Sequence, residues 1–212
     1  ITAAVLKLFP LPRANATAWL AIASPAAAVR LLADLQARFA STLTACELVS
    51  DVALGLVRQH IPGPHPALSA SPWHLLIELS AGGDEGELRE ALGALLAEAL
   101  ASGTISDAVL AQSGEQARRL WAMRENIGEA QRIDGLSIKH DVSVPISRLP
   151  EFVERADQAL TEAFPGLRIV AFGHIGDGNL HYNQSQAAAG LNAAFLAAQP
   201  TVNRLVHDLA DE

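Results

Sequence analysis

Two histidines in the stretch AFGHIGDGNLHYNQ are candidate ligands for a metal ion. Asp177-Gly178 is a typical hairpin turn, because both residues tolerate the positive φ angles that such a turn needs. A turn centred between them would place His174 directly opposite His181, with Cβ atoms about 4.5–5.5 Å apart. His181 and Asn183 would share that face, since side chains alternate along a strand. Two imidazoles so placed can bind one divalent ion. The alternative is a glycine-rich turn that carries histidines and binds nothing.

Two cationic residues are candidates for binding an anionic substrate. Arg124 lies in LWAMRENIGEA, a helical pattern in which Gly128 leaves space beside the guanidinium. Arginine suits bidentate recognition of a carboxylate, and a surface arginine paired with Glu125 or Glu129 is the alternative. Lys139 lies in the middle of the alternating stretch LSIKHDVSVP. It is either an anion ligand or a charge that protects a sheet edge.

Composition excludes some classes of partner. The chain has 212 residues and a formal net charge of −8, which argues against nucleic acid or an anionic membrane as a partner. Half of the residues are hydrophobic, but no stretch approaches the roughly 18 consecutive apolar residues of a transmembrane helix. Cys46 is the only cysteine, so no disulfide can form within the chain. This fits a reducing compartment, and we expect a cytoplasmic location and a buried, inert thiol.

Hydrophobic patterns predict strands and helices in alternation, with hairpins among them. Strand patterns cover residues 5–9, 18–23, 43–49 and 73–80, and PGLRIVAFGHIGDGNLHYNQ has the pattern of a hairpin. Ser24-Pro25 begins a helix, because serine is a good N-cap and proline fits the first turn. The hairpins argue against a purely parallel sheet. The sequence therefore predicts an α+β fold of ferredoxin-like character, with an antiparallel-rich sheet and helices packed on one face.

Three segments together resemble a known family. LWAMREN, IKHDVSVPISRLPEFV and GHIGDGNLHYN are similar, in this order, to the C-terminal domain of FAD-linked oxidases of the vanillyl-alcohol oxidase type. That group includes D-2-hydroxyglutarate dehydrogenases, D-lactate dehydrogenases and the flavin subunit of glycolate oxidase. The GHxGDGNxHxN pattern is the most specific of the three, and the opening VLKLFPLP also fits. The resemblance suggests that residues 1–212 form one such domain.

The resemblance implies roles for the candidate residues. His174 and His181 would bind a divalent metal, commonly zinc. Arg124 and Lys139 would bind substrate carboxylates, and Asn183 would contact the substrate. FAD would be held mainly by a separate N-terminal domain of the same protein.

The implied reaction is the removal of two electrons from a D-2-hydroxy acid to give the 2-oxo acid. D-2-hydroxyglutarate is favoured over D-lactate or glycolate, because Lys139 would matter most for an acid with a second carboxylate. The alternative is a non-enzymatic α+β module that binds metal or small carboxylates. A homodimer is one candidate for the oligomeric state.

Two departures from the family pattern suggest that the chain is a fragment, truncated at both ends. It begins at Ile1 without a flavin-binding domain, so we expect the fragment alone to be inactive. The family also carries a Ser-x-Glu-His-Gly segment, whose glutamate completes the metal site and whose histidine is the usual candidate base. That segment is absent, and Glu212 is not in its context. We therefore assign no catalytic residue, and the metal could be absent from the fragment.

Overall fold

An eight-stranded antiparallel sheet organises the chain in this computed structural model, which describes residues 2–7, 11–186 and 192–212. The strands are β1 Ala14–Ile22, β2 Leu43–Ser50, β3 Trp73–Ala81, β4 Ile105–Leu110, β5 Ser137–Ile138, β6 Asp141–Ser143, β7 Arg168–His174 and β8 Asn179–Ser185. The helices are α1 Pro25–Phe39, α2 Asp51–His60, α3 Glu85–Ala101, α4 Gly114–Glu125, α5 Ile127–Asp134, α6 Leu149–Ala163 and α7 Asn192–Asp211. Within these ranges, each helix is too short or too polar to cross a bilayer.

The sheet joins two groups of strands. Its order is β4-β1-β3-β2-β7-β8-β5, and β6 also pairs with β8. All the pairs are antiparallel, so the expected α+β class with an antiparallel-rich sheet is confirmed. The pairing of β2 with β7 places Glu47 directly opposite His174. Residues far apart in the sequence thus become neighbours in the middle of the sheet.

Helices cover both faces of the sheet rather than the one face that the sequence suggested. The larger core packs α1, α3, α6 and α7 on one face, and a smaller core packs α2, α4 and α5 on the other. Strand β1 shows the cause, because Leu20 and Ile22 belong to the larger core while Trp19 belongs to the smaller. A central strand that is apolar on both sides requires cover on both faces. The predicted site residues lie on the face of the smaller core.

The predicted helix start at Ser24 is confirmed, and the predicted first strand is not. The Ser24 hydroxyl accepts a hydrogen bond from Ala27 N at 3.2 Å, with Pro25 as the first helical residue. Residues 5–7 form no strand, and residues 8 and 9 lie outside the described part of the chain. Val5 and Leu6 are exposed, so no partner strand covers their apolar side chains.

The hairpin of β7 and β8 has a different register from the one predicted. Phe172, not His174, lies opposite His181, because the turn comprises the four residues 175–178. Ile175 sets this turn: its side chain is fully buried in the larger core, and its N–H donates to Cys46 O at 3.1 Å. The register is shifted by two residues. Because the side-chain period is also two, His174, His181 and Asn183 still share one face.

Two glycines allow close backbone contacts around this hairpin. Gly178 has φ of +75°, and a Cβ at this position would lie 2.0 Å from Val144 O. Its carbonyl accepts a hydrogen bond from Val144 N at 3.1 Å, which fixes the turn against the segment after β6. A Cβ on Gly173 would lie 2.4 Å from Asn179 O. The hairpin therefore needs glycine at both positions.

We predict that Gly178→Ala destabilises the protein by more than about 1 kcal/mol, because it adds both a clash and an unfavourable φ. Gly176→Ala is the matched control in the same turn, since a Cβ there would meet nothing within 4 Å. Urea unfolding would measure both variants, and the midpoint should fall clearly only for Gly178→Ala. Equal midpoints for the two variants would contradict this account of the turn.

Candidate functional site

The carboxylate of Glu47 joins two of the residues that the sequence singled out. Its Oε2 accepts a hydrogen bond from Arg124 Nε at 2.8 Å, and its Oε1 is hydrogen-bonded to His174 Nδ1. Glu47 is only 1% exposed, so it is a buried charge held by two donors. An open cavity of about 360 Å³ lies beside it, bounded in part by Trp121 and His174. The arginine and one predicted metal ligand therefore belong to one connected cluster.

Helix α4 carries Arg124 to this face and is fixed by two carboxylates. The helix begins after Ser113, whose hydroxyl accepts a hydrogen bond from Gln116 N at 3.2 Å. Trp121 Nε1 donates to Glu78 Oε2 at 2.7 Å, one turn before Arg124 meets Glu47. Glu78 lies on β3 and Glu47 on β2, which are neighbouring strands. The last turns of α4 are thereby held over the sheet at two points.

Arg124 keeps part of its hydrogen-bonding capacity free. Its guanidinium carbon lies 4.7 Å from the centroid of the Phe172 ring, a favourable position for a cation over an aromatic face. Within the described ranges, Nε is the only atom of this guanidinium that donates to a protein acceptor. The two terminal nitrogens of the fork therefore remain able to bind a carboxylate in a bidentate manner.

His181 also packs against Phe172. The centroid of its ring lies 4.9 Å from the centroid of the Phe172 ring. Its Nδ1 lies 3.4 Å from Asp141 Oδ1 on the paired strand β6. Burial lowers the pKa of His181, and Asp141 opposes that effect. The positive charge of Arg124 lowers this pKa further. The neutral imidazole, which is the form that binds metals, is therefore favoured at neutral pH.

Each of the two histidines directs Nδ1 towards a carboxylate. The Nε2 atoms of His174 and His181 form no hydrogen bond to any residue in the described ranges. An imidazole with one nitrogen oriented by a carboxylate and the other free is the usual arrangement of a metal ligand. The donor set therefore fits a divalent ion such as zinc in its chemistry. Among the described residues, no group of three or more His, Cys, Asp or Glu side chains is arranged to hold one.

Asn183 is buried and uses its amide inside the protein. Its Oδ1 accepts a hydrogen bond from His140 N at 3.1 Å, and its Nδ2 donates to Gln131 Oε1 at 3.0 Å. One of the two N–H groups of this amide takes part in neither hydrogen bond. The side chain thus holds the 139–140 segment against β8. Any contact with a substrate would use the remaining N–H.

Lys139 lies in the gap between β5 and β6, on the face that carries Asp141 and Asn183. It is exposed, and within the described part of the chain its ammonium has no hydrogen bond or ion pair. Its neighbour His140 is buried, with Nε2 at 3.0 Å from Asn203 Oδ1. Burial lowers the pKa of His140. His140 therefore packs on the other face, and Lys139 is a cation available to a ligand.

Two acidic residues of the site were not found from the sequence. Glu47 is the single charge in the apolar strand LTACELVS, and a buried carboxylate requires partners. That signal was available, but its partners depend on long-range pairing. Asp141 gave no signal beyond its alternation with Lys139. Neighbouring Cys46 is buried as expected, and burial raises the pKa of its thiol to about 12.

We predict that Arg124→Gln lowers the free energy of unfolding by about 3 kcal/mol, because it leaves the buried Glu47 carboxylate without its cation. Arg132→Gln is the matched control, since Arg132 and Glu129 form an ion pair with side chains 71% and 45% exposed. Its loss should stay below about 1 kcal/mol. Urea unfolding at neutral pH would measure both variants. Similar losses would show that the Glu47 pair is not a buried, interdependent pair.

Comparison with known proteins assigns this chain to a family. The family described as FAD linked oxidases, C-terminal domain, matches residues 11–209. The chain is 35% identical over 206 residues to D-2-hydroxyglutarate dehydrogenase of Xanthomonas citri pv. viticola, covering 97% of this chain and 42% of that protein. It is 34% identical to the mitochondrial D-2-hydroxyglutarate dehydrogenase of Bos taurus, covering 89% of this chain and 34% of that protein. The chain thus spans less than half the length of these curated relatives.

Solved structures show the same fold at low sequence identity. The chain superimposes on p-cresol methylhydroxylase with substrate bound at a TM-score of 0.61 and 12% identity, covering 94% of this chain and 43% of that chain. Alkyldihydroxyacetonephosphate synthase gives a TM-score of 0.62 at 13% identity, with 94% and 40% of the two chains covered. The sequence match and the fold agree over nearly the whole chain. It belongs to the family of FAD linked oxidase C-terminal domains.

Proposed function

We propose that this chain is the substrate-binding and metal-binding cap of an FAD-dependent dehydrogenase that oxidises a D-2-hydroxy acid to the 2-oxo acid. D-2-hydroxyglutarate is the favoured substrate, with D-lactate or glycolate next. The proposal is carried by one observation: a partly free guanidinium, an ammonium without a partner among the described residues, and two oriented imidazoles lie on one face of the sheet. The names of the relatives support the substrate class.

The cationic residues account for recognition of a dicarboxylate. The terminal nitrogens of Arg124 would bind one carboxylate and orient the acid by two parallel hydrogen bonds. Lys139 has no internal partner among the described residues, so it would bind the second carboxylate. Asn183 holds the segment that carries Lys139 and would offer one N–H to the substrate. These roles explain a preference for a longer diacid over lactate or glycolate.

His174 and His181 would hold the divalent ion through their Nε2 atoms. When bound, the ion would stabilise negative charge on the substrate hydroxyl oxygen, and FAD would accept the two electrons. Glu47 and Asp141 would keep the two imidazoles in the tautomer that presents Nε2. We assign no general base to the described residues.

The flavin would be held mainly by an N-terminal domain packed against this one, and residues 1–212 would form a single domain of that protein. A homodimer and a cytoplasmic location remain predictions from the sequence. Some relatives, such as that of Bos taurus, are mitochondrial by name. These features do not alter the roles proposed for the site residues.

A substrate screen with metal analysis tests the proposal. The flavin-loaded full-length protein should reduce an artificial electron acceptor with D-2-hydroxyglutarate, and a chelator should abolish most of the activity. His174→Ala and His181→Ala should each lose bound metal. Failure to turn over D-2-hydroxyglutarate, D-lactate or glycolate would contradict the enzyme and favour the non-enzymatic module.

We predict that Lys139→Ala raises the KM for D-2-hydroxyglutarate by about 10- to 100-fold, because one charged contact is worth roughly 1.5–3 kcal/mol. The KM for D-lactate should change by less than about threefold, since lactate has no second carboxylate. The two substrates on one variant control for any general damage. An equal rise for both acids would show that Lys139 does not recognise the second carboxylate.

A further inference from the structure

We propose that Glu47 is a positioning residue that holds the metal ligand His174 and the carboxylate-binding Arg124 in one arrangement. The inference rests on the proposed function and goes beyond it, because Glu47 itself would touch neither metal nor substrate. It assigns a role to a buried carboxylate in the middle of β2 that the sequence did not single out.

Glu47 contacts His174 through one of its two carboxylate oxygens. Glu47 and His174 are directly opposed in the β2–β7 pairing, and Oε1 is hydrogen-bonded to Nδ1. A carboxylate at Nδ1 fixes the proton on that nitrogen and leaves Nε2 as the electron-pair donor. It also fixes the ring orientation, which matters because the His174 side chain is 55% exposed and has little packing to restrain it.

Glu47 contacts Arg124 through its other carboxylate oxygen. Oε2 accepts a hydrogen bond from Nε, the guanidinium nitrogen that is bonded to the aliphatic part of the side chain, so the two terminal nitrogens stay free. With Nε held and Phe172 against the guanidinium, the fork has a defined plane. Arg124 would then present a preorganised pair of donors to a carboxylate.

The carboxylate of Glu47 is also buried. The Glu47 side chain is only 2% exposed and, within the described residues, has no hydrogen-bond donor besides Arg124 and His174. Its charge is therefore compensated by the two site residues themselves. Arg124 and His174 contact different oxygens of the carboxylate, so both are oriented by the same buried anion.

A nearby carboxylate provides a matched control. Glu78 lies on the same face and holds the same helix, accepting from Trp121 Nε1 at 2.7 Å and from Thr17 Oγ1 at 3.1 Å. It forms no hydrogen bond or ion pair with His174, His181 or Arg124. Glu78→Gln therefore reports the effect of loosening α4 alone, while Glu47→Gln removes the charge shared by the site residues.

Zinc affinity of the flavin-loaded protein, measured by competition with a chromophoric chelator, is the direct test. Glu47→Gln should weaken zinc binding by about 10- to 100-fold, and Glu78→Gln by less than about threefold. Glu47→Asp keeps the charge with a shorter reach and should recover part of the affinity. The KM for D-2-hydroxyglutarate should rise with Glu47→Gln, because Arg124 loses its orientation as well.

Further variants separate positioning from folding. In Arg124→Gln/Glu47→Gln both charges of the buried pair are removed together, which protects the fold, and zinc should bind as weakly as in Glu47→Gln. Arg124→Gln alone keeps the His174 contact and should stay within about fivefold of the unmodified protein. Equal zinc affinities for Glu47→Gln and Glu78→Gln would overturn the inference. So would a loss in Arg124→Gln as large as that in Glu47→Gln.

The outcomes for the unmodified protein keep the two proposals apart. Zinc binding without turnover of any D-2-hydroxy acid would contradict the proposed function, while the zinc affinities of the variants would still decide the role of Glu47. Turnover with zinc binding that is insensitive to Glu47→Gln would contradict the role of Glu47 alone. Absence of zinc binding by the unmodified protein would overturn both.

Discussion

The antiparallel pairing of β2 with β7 is the contact on which the site depends. It joins the four-stranded group β4-β1-β3-β2 to the hairpin of β7 and β8 and aligns Glu47 with His174. Gly173 lies in this short pairing, where its lack of a side chain lets β7 approach Asn179 closely. If this junction shifted by one residue, His174 would turn to the opposite face of the sheet. The spacing of the chemical groups is therefore a property of sheet register.

Electrostatics at the junction follow from burial. Charged groups of the site lie beside the apolar smaller core, where Glu47 and Arg124 form a buried pair. Glu47 is paired with Arg124 and hydrogen-bonded to His174, and Asp141 lies 3.4 Å from His181, so each imidazole has a carboxylate beside its Nδ1. Burial shields the Glu47 carboxylate from water, whereas the side chains of His174 and Asp141 are 55% and 66% exposed.

Local rules predicted much of the fold and of the site. The α+β class, the hairpin and the shared face of His174, His181 and Asn183 followed from turn chemistry and from the period of a strand. The register did not, because the fully buried Ile175 takes a turn position through a contact with β2 that no local pattern reveals. Glu47 was missed for the same reason. The helices on the second face also depended on which strands are central, and that is decided by long-range pairing.

The interruption between β5 and β6 has a structural consequence of its own. Strands β5 and β6 both pair with β8, and at the break between them Tyr182 N still donates to His140 O at 3.0 Å. The amide of Asn183 replaces the missing rung by accepting from His140 N, so the buried backbone keeps a partner while Lys139 projects from the break. Asn183 thus bridges the break between β5 and β6 at the edge of the sheet. A residue at 183 that cannot accept from His140 N would leave this buried N–H without its partner.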